Sequence, residues 1–136
     1  MRITICGSMH FAKEMLETHA KITALGHDCI LPAVTKESAQ DPNLKEDFDF
    51  VLKNDCQMDH YKKIAESDAI LILNFPKNNI DGYIGGAVLM ELAIAKYLGK
   101  KIFILNELPN EDSIKYIFEV KLCQPIVLRG DLTKID

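Results

Sequence analysis

The sequence predicts an α/β fold, a doubly wound five-stranded parallel sheet with helices on both faces. Three observations lead there. Short β-branched or all-apolar runs alternate with helix-spaced segments along the whole chain, the pattern of successive β-α-β units. Ala69 to Asn74 (AILILN) is almost wholly apolar, as in a strand covered on both faces. Gly85-Gly86 leads into Ala87–Ala95, where Glu91 is the one charged residue. A glycine turn there hands over to a strongly apolar helix.

The elements follow in order. Arg2 to Cys6 (RITIC) reads as the first strand, ending at Gly7-Ser8. Phe11 to Leu25 carries Phe11, Met15, Leu16, Ile22 and Leu25 at close to helical spacing, and Gly26 stops it. His27 to Pro32 is the second strand. Ala33 to Asp47, polar and interrupted by Pro42, reads as an exposed excursion, and part of Phe48 to Glu66 is helical. The apolar third strand is followed by a loop from Phe75 to Ile84, then by the Glu91 helix, for which Gly99 is a natural stop. Lys101 to Leu105 (KIFIL) is the fourth strand, Glu111 to Leu122 a helix, and Pro125 to Leu128 the fifth strand. Crossover connections of this kind suggest the order 2-1-3-4-5, a flavodoxin/Rossmann-like sheet. Residues 1–136 form one domain without repeats, low-complexity tracts or internal linkers.

Composition excludes several classes. A hydrophobic content of 48% and a charged content of 26% are ordinary for a globular domain. A net charge of −4 with no basic run gives no footprint for a nucleic-acid polymer. No apolar stretch approaches the ~20 residues of a membrane span, and the chain opens directly into a strand pattern. Cys6, Cys29, Cys56 and Cys123 form no CxxC pair and no Cys/His metal spacing. A reduced, cytoplasmic protein is therefore expected, with neither metal nor cofactor.

In a sheet of this order the ligand crevice lies beyond the carboxyl ends of the strands, where strands one and three diverge. Strand one delivers Gly7, Ser8, Met9 and His10 there. Strand three delivers Asn74, and the following loop delivers Tyr83, Gly85, Gly86 and then Glu91. On its helix Glu91 shares a face with Ala87, Val88, Ala95 and Leu98. A carboxylate on an apolar stripe is costly unless it is paired, solvated by a cleft or used. Ser8 either caps a plain strand-to-helix turn or meets a phosphate. With no GxGxxG and no Walker lysine, neither a dinucleotide nor a triphosphate is supported. His10 is the one nearby group in this reading able to be cationic. Tyr83 offers a stacking face or anchors its loop. Asp59 and His60 reach the crevice or decorate a solvated helix. His19 and His27 read as structural or surface residues, and Asp68 as a turn residue.

The strand–CGS–helix start, the later SDAILILN strand, the glycine-containing loop and the MELAIAKYLGK helix together resemble the nucleoside 2-deoxyribosyltransferase superfamily. That superfamily includes the 2′-deoxynucleoside 5′-monophosphate N-glycosidases. The resemblance implies that Glu91 attacks C1′ of a deoxysugar to form a glycosyl-enzyme. It also implies that Cys6-Gly7-Ser8 cradles a 5′-phosphate, that the ligand is a small nucleoside or nucleotide, and that the protein is a homodimer. The chain departs from the family at Gly85, where Asp or Ser is usual, at Ala87 in place of Gly, and at His10 in place of Arg. His60 stands near a position often filled by Asp. The lone carboxylate at the nucleophile position favours an enzyme, an N-glycosidic bond hydrolase or transferase acting on a nucleoside or its 5′-monophosphate, which is the first expectation. The departures at Gly85, Ala87 and His10 favour the alternative from a different class, a non-catalytic nucleotide-binding or sensing module on the same fold. A phosphoribohydrolase is disfavoured, because its P-G-G-x-G-T-x-x-E pattern is missing.

Overall fold

A computed structural model describes residues 1–136. Its strands are β1 (Arg2–Gly7), β2 (Asp28–Ile30), β3 (Ala69–Leu73), β4 (Lys101–Ile104) and β5 (Ile126–Val127). They form one parallel sheet in the order β2-β1-β3-β4-β5, as the alternation of elements predicts. The helices are α1 (Ala12–Ala24), α2 (Thr35–Gln40), α3 (Phe48–Lys53), α4 (Cys56–Ala65), α5 (Gly86–Tyr97) and α6 (Ile117–Leu122).

Period-two alternation along the strands divides the core into two layers. Ile3 and Ile5 of β1 and Ala69, Leu71 and Leu73 of β3 face Met15 and Ile22 of α1, together with Leu128 and Ile135. Cys6, Ile70 and Ile72 face the other way, onto Ile64 of α4, Val88, Leu92 and Ala95 of α5, and Ile117 and Val120 of α6. All five residues of β3 are buried, which explains its continuous apolar sequence. Each such aliphatic side chain contributes roughly 1.5–3 kcal/mol of burial energy. No helix is long and apolar enough to cross a membrane.

The region between β2 and α4 differs most from the sequence reading. The excursion over Ala33–Asp47 is largely exposed but carries regular structure, α2 and a short 3₁₀ turn over Leu44–Glu46, and α3 follows it. Helix α2 packs against α1 and buries Thr35 and Ser38. Its inward face is made of small polar residues, so hydrophobic periodicity does not reveal it. The stretch from Phe48 to Glu66 is two helices, separated where Asp55 takes a left-handed backbone (φ 48°). The helix expected from Glu111 begins only at Ile117. Before it, the Asn110 side chain accepts a hydrogen bond from the Ser113 amide (3.0 Å) and stabilises a turn in place of helix.

Candidate functional site

Where β1 and β3 separate, a cavity of about 440 Å³ opens at the carboxyl edge of the sheet. That size suits a small-molecule ligand. One wall is the end of β1, Gly7, Ser8 and Met9; another is the start of α5, from Gly85 to Val88, with Met90 and Glu91. His60 and Tyr61 of α4 form the floor, Lys77 and Tyr83 come from the loop after β3, and the region between β2 and α4 closes the far side with Val34, Ser38 and Lys45. A Cβ added at Gly86 would touch nothing, so the missing side chain leaves the first turn of α5 open to a ligand.

Glu91 sits one turn into α5, three residues after the buried Val88 and four before the buried Ala95, so its stripe faces the sheet. Its side chain is 15% exposed and that of His60 5%. Glu91 Oε2 lies 3.7 Å from His60 Nε2, and His60 Nε2 lies 3.3 Å from Cys6 Sγ. Burial takes the Glu91 carboxyl up to about 8, against a weaker opposing pull from the Cys6 thiol. Burial, reinforced by Lys63 and opposed by Asp59, takes the His60 imidazole down to about 4. The Cys6 thiol is pushed well above the usual thiol range, first by burial and then by Glu91. The trio is thus neutral near pH 7, as expected where separating two charges would need both to be desolvated. Glu91 Oε2 and His60 Nδ1 are buried with no hydrogen-bond partner.

The opposite end of the cavity is cationic. Lys77 Nζ donates to Ser8 Oγ (3.0 Å) and lies 5.2 Å from the centre of the Tyr83 ring, within cation–π range. A tight turn presents it. Lys77 and Ile80 exchange backbone hydrogen bonds of 3.1 and 2.9 Å, and Asn78 and Asn79 between them both take positive φ (53° and 60°), the geometry of a type I′ turn. Ser8 Oγ also accepts from the His10 amide (3.2 Å), so Ser8 caps its turn and faces the cavity at once. Ser38 Oγ is buried at the cavity wall without a partner.

Of the residues singled out from sequence, Gly7, Ser8, Met9, His60, Tyr83, Gly85, Gly86 and Glu91 line this one cavity. His10 does not; it borders a smaller neighbouring hollow, where its Nδ1 accepts from Lys45 Nζ (2.7 Å). Asn74 is fully buried outside the cavity wall. Its Nδ2 donates to the carbonyls of Asn106 (3.0 Å) and Glu107 (3.2 Å), and its Oδ1 accepts from the Asn106 amide (2.8 Å). Asn74 therefore ties the loop after β3 to the loop after β4. Asp68 anchors a turn, accepting from the Arg2 amide (2.7 Å), and His27 Nδ1 meets the N-terminal amine (3.1 Å). Sequence reasoning missed Lys77, Lys45, Ser38 and the role of Cys6. The Asn78-Asn79 pair is the one signal that could have marked Lys77.

No protein-family model matches the chain, and no curated protein and no solved structure matches it either. Fold and geometry therefore define only a class, a Rossmann-like protein whose cavity could hold a small nucleotide-like ligand.

Proposed function

We propose that this protein is a binding or sensing module for a nucleoside 5′-monophosphate, held with its phosphate between Ser8 and Lys77 and its base near Tyr83. The observation that carries this reading is the Lys77 ammonium, held against Ser8 Oγ and over the Tyr83 ring at one end of the cavity. A phosphate arriving there exchanges a neutral hydroxyl partner for a charge-assisted one. A flat base matches the aromatic face beside it. The resemblance to the nucleoside 2-deoxyribosyltransferase superfamily supports the same ligand class.

A second reading, N-glycosidic bond cleavage with Glu91 as nucleophile, is favoured by the placement of Glu91 on the cavity wall. The protonation state weighs against it. Attack on C1′ needs a carboxylate, and burial keeps this carboxyl protonated up to about 8, with no donor aimed at Oε2 to stabilise the charge. The missing polar residue at Gly85 removes a further sugar contact that the family would supply.

Calorimetric titration with deoxy- and ribonucleosides, their 5′-monophosphates and inorganic phosphate, run beside a free-base release assay, separates the readings. Binding of a monophosphate with no base released supports the module. Base release by wild type that is lost in Glu91→Gln replaces it with the glycosidase. No binding of any monophosphate overturns both.

The resemblance also implies a homodimer. Met90, Ala93 and Tyr97 form an exposed stripe on α5, and Tyr97 is 90% exposed. Met90 lines the cavity too, so a partner seated on this stripe would close the nucleotide site.

A further inference from the structure

We propose that Cys6, His60 and Glu91 form a divalent-cation site, best suited to zinc, set into the floor of the cavity. The site does not depend on the nucleotide reading.

Three separate elements converge to build it: the end of β1, the middle of α4 and the second turn of α5. Their ligand atoms all lie within 4.8 Å of one another. Tetrahedral zinc, with bonds of about 2.3 Å to sulfur and about 2.0–2.1 Å to nitrogen and oxygen, sets its ligands about 3.6 Å (S···N) and about 3.4 Å (N···O) apart. The separations here are 3.3 Å for Cys6 Sγ to His60 Nε2 and 3.7 Å for His60 Nε2 to Glu91 Oε2. The third pair, Cys6 Sγ and the Glu91 carboxylate, lies within 4.8 Å, so tetrahedral geometry asks for side-chain shifts of about 1 Å at most.

Charge and donor chemistry agree with this placement. A thiolate, a neutral imidazole and a carboxylate carry two negative charges, which a divalent cation cancels, so the loaded site is neutral and its burial is not opposed by a net charge. The cation would also give Glu91 Oε2, buried without a hydrogen-bond partner, the partner it lacks. The thiolate favours zinc over magnesium or calcium, which take oxygen ligands. With three protein ligands one tetrahedral position stays open. His60 and Glu91 line the cavity and Cys6 lies behind them, so the open position faces the cavity. No redox change accompanies loading. The Cys6 thiol proton and any proton on the Glu91 carboxyl leave to solvent as the metal bonds form, so affinity rises with pH.

Titration with cobalt(II) alone, as a spectroscopic stand-in for zinc, tests the site. The expected result is one equivalent bound per chain at pH 8, with a near-ultraviolet thiolate-to-cobalt band that zinc abolishes. Cys6→Ser removes the band, whereas the double variant Cys56→Ser/Cys123→Ser, which changes the two half-buried cysteines, keeps it. Glu91→Gln, which preserves shape, weakens binding at least tenfold. Circular dichroism confirms that each variant is folded. If Cys6→Ser does not fold, Glu91→Gln decides the matter alone. Absence of stoichiometric binding by wild type, a band that persists in folded Cys6→Ser, or wild-type affinity in Glu91→Gln overturns the proposal.

Discussion

His60 Nε2 and Glu91 Oε2 face each other at 3.7 Å, yet near neutral pH the two groups are not an ion pair. Burial holds the imidazole neutral down to about 4 and the carboxyl protonated up to about 8. A buried acid and a buried base that each reject charge make stability depend on pH in a defined direction. The Glu91 carboxyl titrates near 4.5 when unfolded and near 8 when folded. Its contribution to stability is full below 4.5 and is lost as pH rises towards 8. His60 titrates near 6.5 unfolded and about 4 folded, so its contribution is full above 6.5 and is lost as pH falls towards 4. Between 4.5 and 6.5 the two slopes oppose each other. Above 6.5 Glu91 acts alone, and stability falls by about 2 kcal/mol by pH 8. Urea unfolding in the presence of a chelator should show this decline in wild type. In Glu91→Gln the curve should be flat over the same range; a decline that survives the substitution removes Glu91 as its source.

Asn74 is a structural tie, and its loss should read out as stability. Truncation to Ala leaves the backbone amide and carbonyl of the half-buried Asn106 and the carbonyl of the exposed Glu107 without their partner. An orphaned buried group costs about 1–3 kcal/mol; with these partners only partly buried, Asn74→Ala is expected to destabilise by about 1–2 kcal/mol. Nucleotide affinity, measured below the lowered melting temperature, should stay within a few-fold of wild type. A large loss of affinity in a variant of unchanged stability would instead make Asn74 a ligand contact.

Gly82 holds the cavity loop against the same neighbour. Its φ is +72°, and an added Cβ would lie 2.3 Å from the Glu107 carbonyl oxygen. The backbone cannot rotate away without moving Tyr83, which follows directly. Gly82→Ala should cost about 2 kcal/mol or more from the left-handed backbone and the clash. Because Tyr83 moves with the loop, nucleotide binding should weaken too. Chemical denaturation and calorimetry on the same sample check both effects.

The contrast between Asn74 and Lys77 shows what the sequence makes legible. Strand β3 and helix α5 are evident because their apolar runs are continuous, and the order of the elements then locates the crevice. That rule brings Ser8, Tyr83, Gly86 and Glu91 to one place without any motif. It cannot say which way a residue at the crevice edge points: Asn74 turns into the loop after β4, and His10 turns towards Lys45. The Cys6–His60–Glu91 cluster is illegible by spacing, since its members come from a strand and two helices that only the fold brings together. Helix α2 escapes for another reason. Its buried face is Thr35 and Ser38, and hydrophobic periodicity is blind to small polar residues.

The exposed α5 stripe gives a test of assembly. Met90, Ala93 and Tyr97 lie on one helical face with no covering element. Sedimentation at micromolar concentration should find a dimer, and Tyr97→Glu should shift it to monomer with no loss of monomer stability. Reduced nucleotide affinity in that monomer would show that the partner closes the site beside Met90. A wild-type monomer at high concentration would dismiss the stripe as an interface.

Lys77 distinguishes phosphate recognition from a cavity that merely admits flat apolar molecules. Its ammonium is held by one hydroxyl and one aromatic face, and it forms no salt bridge with a carboxylate. The charge is therefore not already neutralised. A hydrogen bond between charged groups contributes about 1.5–3 kcal/mol, so Lys77→Ala should weaken monophosphate binding roughly 10- to 100-fold. The parent nucleoside, which lacks the phosphate, should bind with nearly unchanged affinity. Lys77→Arg keeps the charge but alters the geometry at Ser8, and should recover part of the loss. Salt provides an independent check, because the monophosphate's advantage over the nucleoside should shrink with ionic strength in wild type and hardly change in Lys77→Ala. Equal losses for nucleoside and monophosphate would mean that Lys77 shapes the Tyr83 wall and does not receive the phosphate.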